Sequence, residues 1–245
     1  MLFYEFFSNW VIHYTFELSE IATGLRYDSN ICEISINDLI ERKQEVLEKY
    51  NRLDLGRLVI KEYPTGSASV VTIRNHIEKL LLRNFKPDMI IIDYADIMRA
   101  TRKFDALRHE LKMIYEELRN LSAELHIPVW TASQANRSSA QNDIVGLENM
   151  SEAYGKAMVA DVVLSLSRKA HEKAHGAGRL FIAKNRAGRD GLILPVKIDT
   201  TESRISVLSD NDVQDIEISK HEQEKSMKDL LRQKWKEVKE VRKIN

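Results

Sequence analysis

The stretch from Pro87 to Tyr94, Pro-Asp-Met-Ile-Ile-Ile-Asp-Tyr, places the tightest constraint on how this chain can fold. Consecutive apolar residues after a Pro-Asp turn signal are typical of a strand that is buried on both faces. The run ends on Asp93, and the carboxyl ends of strands in an open parallel sheet face the ligand crevice. A carboxylate there suits a hydrated Mg²⁺ beside nucleotide phosphates, although an ordinary buried strand that ends in an acid has the same pattern.

Two further predicted strands also end on polar side chains. Residues 10–16 are rich in β-branched and aromatic residues and are followed by Glu17, while residues 127–132 are followed by Ser133 and Gln134. Three polar endings in one series of strands and helices indicate a shared crevice at the carboxyl edge of a parallel sheet. An exposed glutamate after a strand is also a common helix-start residue, so the pattern alone leaves that alternative open for Glu17.

Hydrophobic periodicity supplies the remaining elements. We expect helices over about 18–27, 37–50, 70–84 and 104–126, and further strands over about 57–61, 161–166, 179–184, 192–198 and 203–208. In the helix over 37–50, Asn37 or Asp38 is the expected N-cap, and one face should carry Leu39, Ile40, Val46 and Leu47. The helix over 70–84 should form a crossover between parallel neighbours. The pattern predicts an α/β domain with a mostly parallel central sheet flanked by helices, and antiparallel strands near the C-terminus.

Composition excludes some classes of protein. Lys+Arg and Asp+Glu number 37 each, so the net charge is zero, which excludes a globally basic nucleic-acid binder but not a locally basic channel. The single cysteine, Cys32, has no partner for an internal disulfide, which favours a reducing, cytoplasmic compartment. Residues 1–7 are apolar and aromatic but lack a basic leader, so we expect neither a signal peptide nor a membrane partner.

A series of motifs in order then carries a resemblance to a known family. They are the strand that ends in Asp-Tyr, a helix with Glu-Glu-Leu-Arg-Asn-Leu-Ser-Ala-Glu-Leu, the run Ile-Pro-Val-Trp-Thr-Ala-Ser-Gln-Ala-Asn-Arg, and the later Tyr-Gly-Lys-Ala-Met-Val-Ala-Asp and Ile-Ala-Lys-Asn-Arg-Ala-Gly-Arg-Asp-Gly. The chain resembles the C-terminal, RecA-like ATPase domain of DnaB-type hexameric replicative DNA helicases, especially those of tailed phages. That resemblance implies a P-loop NTPase fold and the cofactors ATP and Mg²⁺. It also implies single-stranded DNA, a hexameric ring and a primase or loader as partners.

The resemblance also implies roles for individual residues. Asp93 resembles the Walker B acid that binds Mg²⁺, Glu17 the catalytic glutamate that polarises the attacking water, and Gln134 the amide that senses the γ-phosphate. Lys184 and Arg186 alternate at a strand end and resemble the cations that reach a neighbouring subunit's nucleotide, the arginine as a finger. Without the resemblance, a Lys-x-Arg before a glycine-containing turn is typical of a solvated hairpin.

Residues 138–156 are polar and irregular, and in the family this region contains the loop that tracks single-stranded DNA. We expect Arg137, Ser151, Glu152 and Lys156 to lie near the DNA. Bacterial members have an arginine where this chain has Ser151, which weakens the assignment for any single residue. A solvated surface loop is the alternative.

The sequence contains no Gly-x-x-x-x-Gly-Lys-Ser/Thr, the loop that would hold the β- and γ-phosphates. Residues 1–7 resemble the end of the helix that follows this loop, so we expect the chain to start downstream of its P-loop and to bind ATP weakly or not at all. We further expect a RecA-like domain over 1–212 and a charged helical tail over 213–245. Two alternative functions are also compatible with the sequence. One is a RecA-like recombination or mediator ATPase, and the other is a degenerate, non-catalytic binding module.

Overall fold

The computed structural model describes residues 11–53, 56–134, 146, 154–173 and 175–209. Its first sheet is parallel and contains four strands in the order β2-β1-β3-β4: β1 (Val11–Thr15), β2 (Leu58–Glu62), β3 (Met89–Asp93) and β4 (Val129–Thr131). Every residue of β1 is buried, and Ile90 and Ile92 of β3 are fully buried. The Ile-rich run is therefore buried in the centre of the sheet, as its composition predicts.

The helices of this first layer are α1 (Glu20–Cys32), α2 (Lys43–Arg52), α3 (Val70–Leu81) and α4 (Leu107–Leu125), with short 3-10 turns at Ile36–Asp38 and Ala95–Ile97. Side-chain caps fix two of the starts. Ser19 accepts a hydrogen bond from the Ala22 amide at α1, and Ser69 forms a capping box with Thr72 at α3. The helix α4 buries one apolar stripe, including Ile114, Leu118 and Leu121, in the core formed with the sheet.

The structure corrects two details of the predicted first layer. The helix expected over 37–50 begins only at Lys43, because Leu39 is buried with Cys32 and Ile34 and holds a turn there, while Ile40 is 84% exposed. Helix α3 does not connect neighbouring strands. Strand β1 lies between β2 and β3 and pairs with both, so α3 crosses over it.

The second sheet is antiparallel with the order β5-β6-β7-β8, formed by β5 (Val162–Ser167), β6 (Ala177–Asn185), β7 (Ile193–Asp199) and β8 (Arg204–Val207). Short helices α5 (Tyr154–Val159) and α6 (Ala170–Lys173) precede β5 and β6. The residues of β5 alternate in exposure, and Leu164 and Leu166 remain 42% and 47% exposed. The predicted antiparallel strands near the C-terminus are confirmed.

Several predicted features lie outside the described residues, namely the helix end within 1–9, the tail over 213–245 and most of the polar loop over 138–156. The division at residue 212 therefore stays a prediction. In the part of the chain that the structure describes, none of the helices is both long and apolar enough to cross a membrane.

Candidate active site at the carboxyl edge of the parallel sheet

Strand register brings the three predicted polar endings to one edge of the sheet. Thr15 of β1 lies opposite Asp93 of β3, and Ile92 of β3 lies opposite Thr131 of β4. Two further contacts join the segments just beyond the strands. The Phe16 amide donates to the Asp93 carbonyl at 3.3 Å, and the Ala95 amide donates to the Thr131 hydroxyl at 3.0 Å. Residues that follow β1, β3 and β4 are thus held side by side.

A tyrosine hydroxyl connects the side chains of two of these strand ends. Tyr94 Oη donates to Glu17 Oε1 at 3.1 Å, and Gln134 Nε2 donates to Tyr94 Oη at 3.1 Å. We call Glu17, Tyr94 and Gln134 the Tyr94 bridge. Glu17 and Gln134 are exposed and Tyr94 is half-buried, so the group faces the solvent at the sheet edge. The sequence-predicted glutamate and glutamine are therefore close in space although 117 positions of the sequence separate them.

Asp93 lies beside this bridge at the end of β3 and is half-buried. Its carboxylate has no ion pair or hydrogen bond with any other side chain that the structure describes, so its oxygen atoms are available to a ligand. Mg²⁺ in nucleotide sites needs only one or two protein carboxylates beside phosphates and water. Asp93 therefore fits a Mg²⁺ ligand, although the described residues contain no group of three or more metal-binding side chains.

The buried His13 and the half-buried Tyr27 lie within the electrostatic reach of Asp93. Burial lowers the pKa of His13 on β1, and the negative charge of Asp93 opposes that shift. Burial and the same charge raise the pKa of Tyr27 to about 12. His13 Nδ1 and Tyr27 Oη are 3.1 Å apart, while His13 Nε2 has no hydrogen-bond partner among the described residues. A neutral histidine and a neutral phenol thus lie close enough to Asp93 to feel its charge.

Lys156 has a different environment from the one expected of a DNA contact. Its side chain is 2% exposed, and its ammonium lies 2.8 Å from Asp96 Oδ1, 3.4 Å from Ser133 Oγ and 5.6 Å from the centre of the Tyr115 ring. We call Asp96, Tyr115, Ser133 and Lys156 the Lys156 cluster. A contact between Lys156 and DNA would require this cluster to open, so that assignment stays a prediction that the geometry does not support.

Asp96 is the centre of the Lys156 cluster. Tyr115 Oη donates to Asp96 Oδ1 at 2.8 Å, and Ser133 Oγ donates to Asp96 Oδ2 at 2.9 Å. Burial and the charge of Asp96 raise the pKa of Tyr115, so the phenol is a neutral donor. One carboxylate thereby joins the turn after β3, the helix α4, the end of β4 and the helix α5.

Lys184 and Arg186 lie at the end of β6, near the start of β5. Lys184 Nζ donates to the carbonyl groups of Ala157 and Met158 at 2.8 and 3.0 Å, and Arg186 forms an exposed ion pair with Asp161 at 2.8 Å. Burial and the charge of Arg186 lower the pKa of Lys184. None of the contacts between described residues joins either cation to the Tyr94 bridge or to Asp93. Their predicted role at a neighbouring subunit's nucleotide stays a prediction.

The other three predicted DNA-binding residues, Arg137, Ser151 and Glu152, lie outside the described residues. Sequence reasoning missed the contacts of Tyr94 and Asp96. Tyr94 had a usable signal, because it directly follows the strand-end acid and a phenol there can reach the ends of the flanking strands. The sequence gives no such signal for Asp96, because its partner Lys156 is 60 positions away and an exposed aspartate could have the same neighbours in the sequence.

Comparison with known proteins identifies relatives of this chain. The chain is 30% identical over 167 residues to a DnaB-like replicative helicase of Enterobacteria phage T4, covering 64% of this chain and 35% of that protein. It is 27% identical over 201 residues to a probable replicative DNA helicase of Trieres chinensis, covering 75% of this chain and 43% of that protein. The chain thus spans less than half the length of these curated relatives.

Solved structures share the fold. One solved ATPase domain superposes with a TM-score of 0.71 at 16% identity, covering 82% of this chain and 75% of that domain. A DnaB-like replicative helicase, in a structure that describes its interactions with primase, gives a TM-score of 0.68 at 16% identity over 82% of this chain and 51% of that one. The predicted RecA-like α/β fold is confirmed by these neighbours. The model of the DnaB-like helicase C-terminal domain matches residues 8–233, and this chain therefore belongs to that family.

Proposed function

We propose that this chain is motor machinery of an ATP-dependent replicative DNA helicase, which couples ATP hydrolysis at subunit interfaces to movement along single-stranded DNA. The observation that carries the proposal is the convergence of Glu17, Gln134 and Asp93 at one sheet edge. The chain belongs to a helicase family, and the edge has two carboxylates and an amide that suit phosphoryl transfer to water.

Each group has a place in the proposed reaction. Asp93 would hold Mg²⁺, which would neutralise charge on the phosphates of the nucleotide. Glu17 orients the attacking water and accepts its proton as the water oxygen bonds to the γ-phosphorus. The bond from that phosphorus to the β,γ-bridging oxygen breaks, and ADP leaves with the bridging oxygen. Gln134 senses whether the γ-phosphate is present.

The phosphate-binding loop determines the expected affinity for ATP. Because the sequence has no Gly-x-x-x-x-Gly-Lys-Ser/Thr, we expect the isolated chain to bind ATP weakly or not at all. A fusion that places a strand and such a loop ahead of residue 1, here called the P-loop fusion, should supply the missing phosphate contacts. A low micromolar dissociation constant for ATP in the isolated chain would contradict this expectation.

Lys184 and Arg186 are the residues that we propose to act at the interface between subunits. Arg186 is exposed and pairs with an exposed Asp161, so a ring contact can exchange that partner for a phosphate of the neighbour. We therefore propose self-association into a ring, a hexamer as in the family, with single-stranded DNA in the channel and a primase or loader as a further partner. The proposed setting is the cytoplasm of a bacterium or a phage-infected host.

Hydrolysis of ATP by the P-loop fusion, measured with and without an unstructured single-stranded oligonucleotide, tests the proposal. We expect Mg²⁺-dependent turnover that DNA stimulates, and loss of that turnover in the Asp93→Asn fusion. The Asp190→Asn fusion is the matched control, because Asp190 is an exposed acid in the turn after β6. Turnover that DNA leaves unchanged would instead favour a non-motor RecA-like ATPase.

A further inference from the structure

Tyr94 occupies a position between two groups of the proposed hydrolytic site. Its hydroxyl lies 3.1 Å from Glu17 Oε1 and 3.1 Å from Gln134 Nε2. No other contact between described side chains joins this glutamate to this glutamine. A change in the position of Gln134 can therefore be transmitted to Glu17 through the hydrogen bonds of the phenol.

The hydrogen-bond directions in this contact are fixed by the chemistry of the three groups. An ionised carboxylate can only accept, so the single phenol proton is donated to Glu17. The phenol oxygen keeps its lone pairs for the Gln134 amide, which donates one of its two N–H groups. The two contacts are compatible, and each polarises the phenol in the direction that strengthens the other. Removal of the hydroxyl breaks both contacts at once.

The backbone on both sides of Tyr94 is anchored, which fixes the direction of its side chain. Asp93 accepts a hydrogen bond from the Phe16 amide through its carbonyl, and the Ala95 amide donates to Thr131 Oγ1 at 3.0 Å. Thr131 Oγ1 in turn donates to the Ile92 carbonyl at 2.9 Å. The tyrosine thus extends from a short segment that is bonded to both β1 and β4.

The phenol remains a neutral donor at physiological pH. Burial and the hydrogen bond to Glu17 raise the pKa of Tyr94, and the charges of Glu17, Asp96 and Asp93 act in the same direction. Because the unperturbed pKa of a tyrosine is already about 10, the proton stays on the oxygen at neutral pH. The donor to Glu17 is therefore present at neutral pH.

We propose that Tyr94 is a positioning residue of the hydrolytic site, whose hydroxyl holds one oxygen of Glu17 and ties its orientation to the position of Gln134. The other carboxylate oxygen is then left to accept from the attacking water. Movement of Gln134 toward a γ-phosphate reorients the phenol that it contacts, and the phenol in turn brings Glu17 into its working orientation when nucleotide is in place. This proposal rests on the proposed function, since it assigns a role within the same reaction.

The first test measures the contact in the chain as it stands. Carbon-13 labelling of the tyrosine Cζ atoms gives one resonance for each of the 8 tyrosines, and the Tyr94→Phe variant identifies the resonance of Tyr94. At constant neutral pH we expect Glu17→Gln to shift the Tyr94 resonance, because a neutral acceptor replaces the carboxylate that accepts from the phenol. Glu20→Gln should leave the resonance unchanged, because Glu20 contacts Lys61 and the Glu62 amide instead. An unchanged Tyr94 resonance in Glu17→Gln would overturn the proposed contact.

The second test measures the role in the P-loop fusion. Tyr94→Phe should lower kcat about tenfold, the effect of about one lost hydrogen bond to a charged group, and leave KM unchanged. Tyr63→Phe is the control, because Tyr63 is half-buried and stacks on Tyr14 instead. Both variants should keep the melting temperature of the parent fusion.

The outcomes separate the two proposals. A parent fusion without ATP turnover would overturn the proposed function, whatever the resonance of Tyr94 shows. A parent fusion that turns over ATP and a Tyr94→Phe fusion with the same kcat would overturn the positioning role alone. A lower kcat in Tyr94→Phe with an unchanged KM and melting temperature supports it.

Discussion

Ser133 and Gln134 are consecutive residues, yet they join two groups of opposite character. Gln134 belongs to the exposed Tyr94 bridge, and Ser133 belongs to the Lys156 cluster, whose lysine is 2% exposed. Tyr94 and Asp96 show the same division on the segment after β3. One strand end and one turn therefore supply both a solvent-facing group that a substrate can reach and a buried group that holds the segments together.

The difference between the two groups is a difference in desolvation. The side chains of the Tyr94 bridge keep contact with water, so their hydrogen bonds can be exchanged for substrate contacts at little cost. The ion pair of the Lys156 cluster has lost most of its hydration, and removal of one partner leaves an uncompensated charge in a poorly solvated site. We therefore expect substitutions in the Tyr94 bridge to lower ATP turnover and to leave the fold intact. Substitutions in the Lys156 cluster should instead lower the free energy of unfolding.

The largest expected effect concerns the exposed cation at the end of β6. In the P-loop fusion, Arg186→Ala should reduce ATP turnover by about 10³-fold or more, because a guanidinium that neutralises the developing phosphoryl charge would be missing. Steady-state hydrolysis at saturating DNA measures this effect. Arg189→Ala, an exposed arginine in the same turn, is the control. Turnover of Arg186→Ala within twofold of the parent would refute the finger assignment.

The next effect concerns the stability of the Lys156 cluster. Lys156→Met should destabilise the chain by about 3 kcal/mol, because Asp96 would lose its cation in a partly buried site. Urea denaturation measures the free energy of unfolding. Lys112→Met should cost less than about 1 kcal/mol, since Lys112 and Glu116 form an exposed pair with side chains 54% and 49% exposed.

A double variant sharpens that prediction. Asp96→Asn in the Lys156→Met background should recover part of the lost stability, because the uncompensated charge is removed with its partner. Equal stability of Lys156→Met and Lys112→Met would show that the cluster is not a buried ion pair in solution.

The smallest expected effect concerns His13, a polar residue buried within β1. Burial lowers its pKa, so the unfolded chain binds a proton at a higher pH than the folded one. The contribution of His13 to stability is therefore complete above the unfolded pKa of about 6.5 and is lost as the pH falls toward the folded value. For one proton the slope cannot exceed about 1.4 kcal/mol per pH unit.

Denaturation at pH 7.5 and at pH 5.5 measures this dependence. The loss of stability on acidification should be smaller in His13→Asn than in the parent chain, and His109→Asn, at an exposed histidine, should behave like the parent. An identical pH dependence in His13→Asn would mean that the His13 ring is protonated equally in both states.

The sequence predicts the parallel sheet well because its signals are local. The Ile run of β3, the β-branched run of β1 and the four- and three-residue spacing of α4 each specify an element without knowledge of its partners. Register then follows, since strands that end on polar residues share one edge. The convergence of Glu17, Asp93 and Gln134 could therefore be predicted from the sequence.

Other features depend on contacts between distant segments. The start of α2 differs from the predicted one because Leu39 packs on Cys32 and Ile34, which no helical periodicity reveals. The ion pair of Lys156 with Asp96 could not be predicted either, because a lysine beside a polar loop has the same local sequence whether it faces solvent or an aspartate 60 positions away. Such pairings are tertiary, and a single sequence does not show them.

The claim that this sheet edge is the hydrolytic site is tested most directly by the ATP turnover of the P-loop fusion. The parent fusion and its Glu17→Gln variant are measured side by side. We predict that the substitution lowers kcat by about 10²-fold to 10⁴-fold, as expected for loss of a general base, while nucleotide affinity is retained. Glu20→Gln, at the next acid along the chain, should keep the parent rate. Equal turnover with and without the Glu17 carboxylate would contradict the claim that this sheet edge is the hydrolytic site.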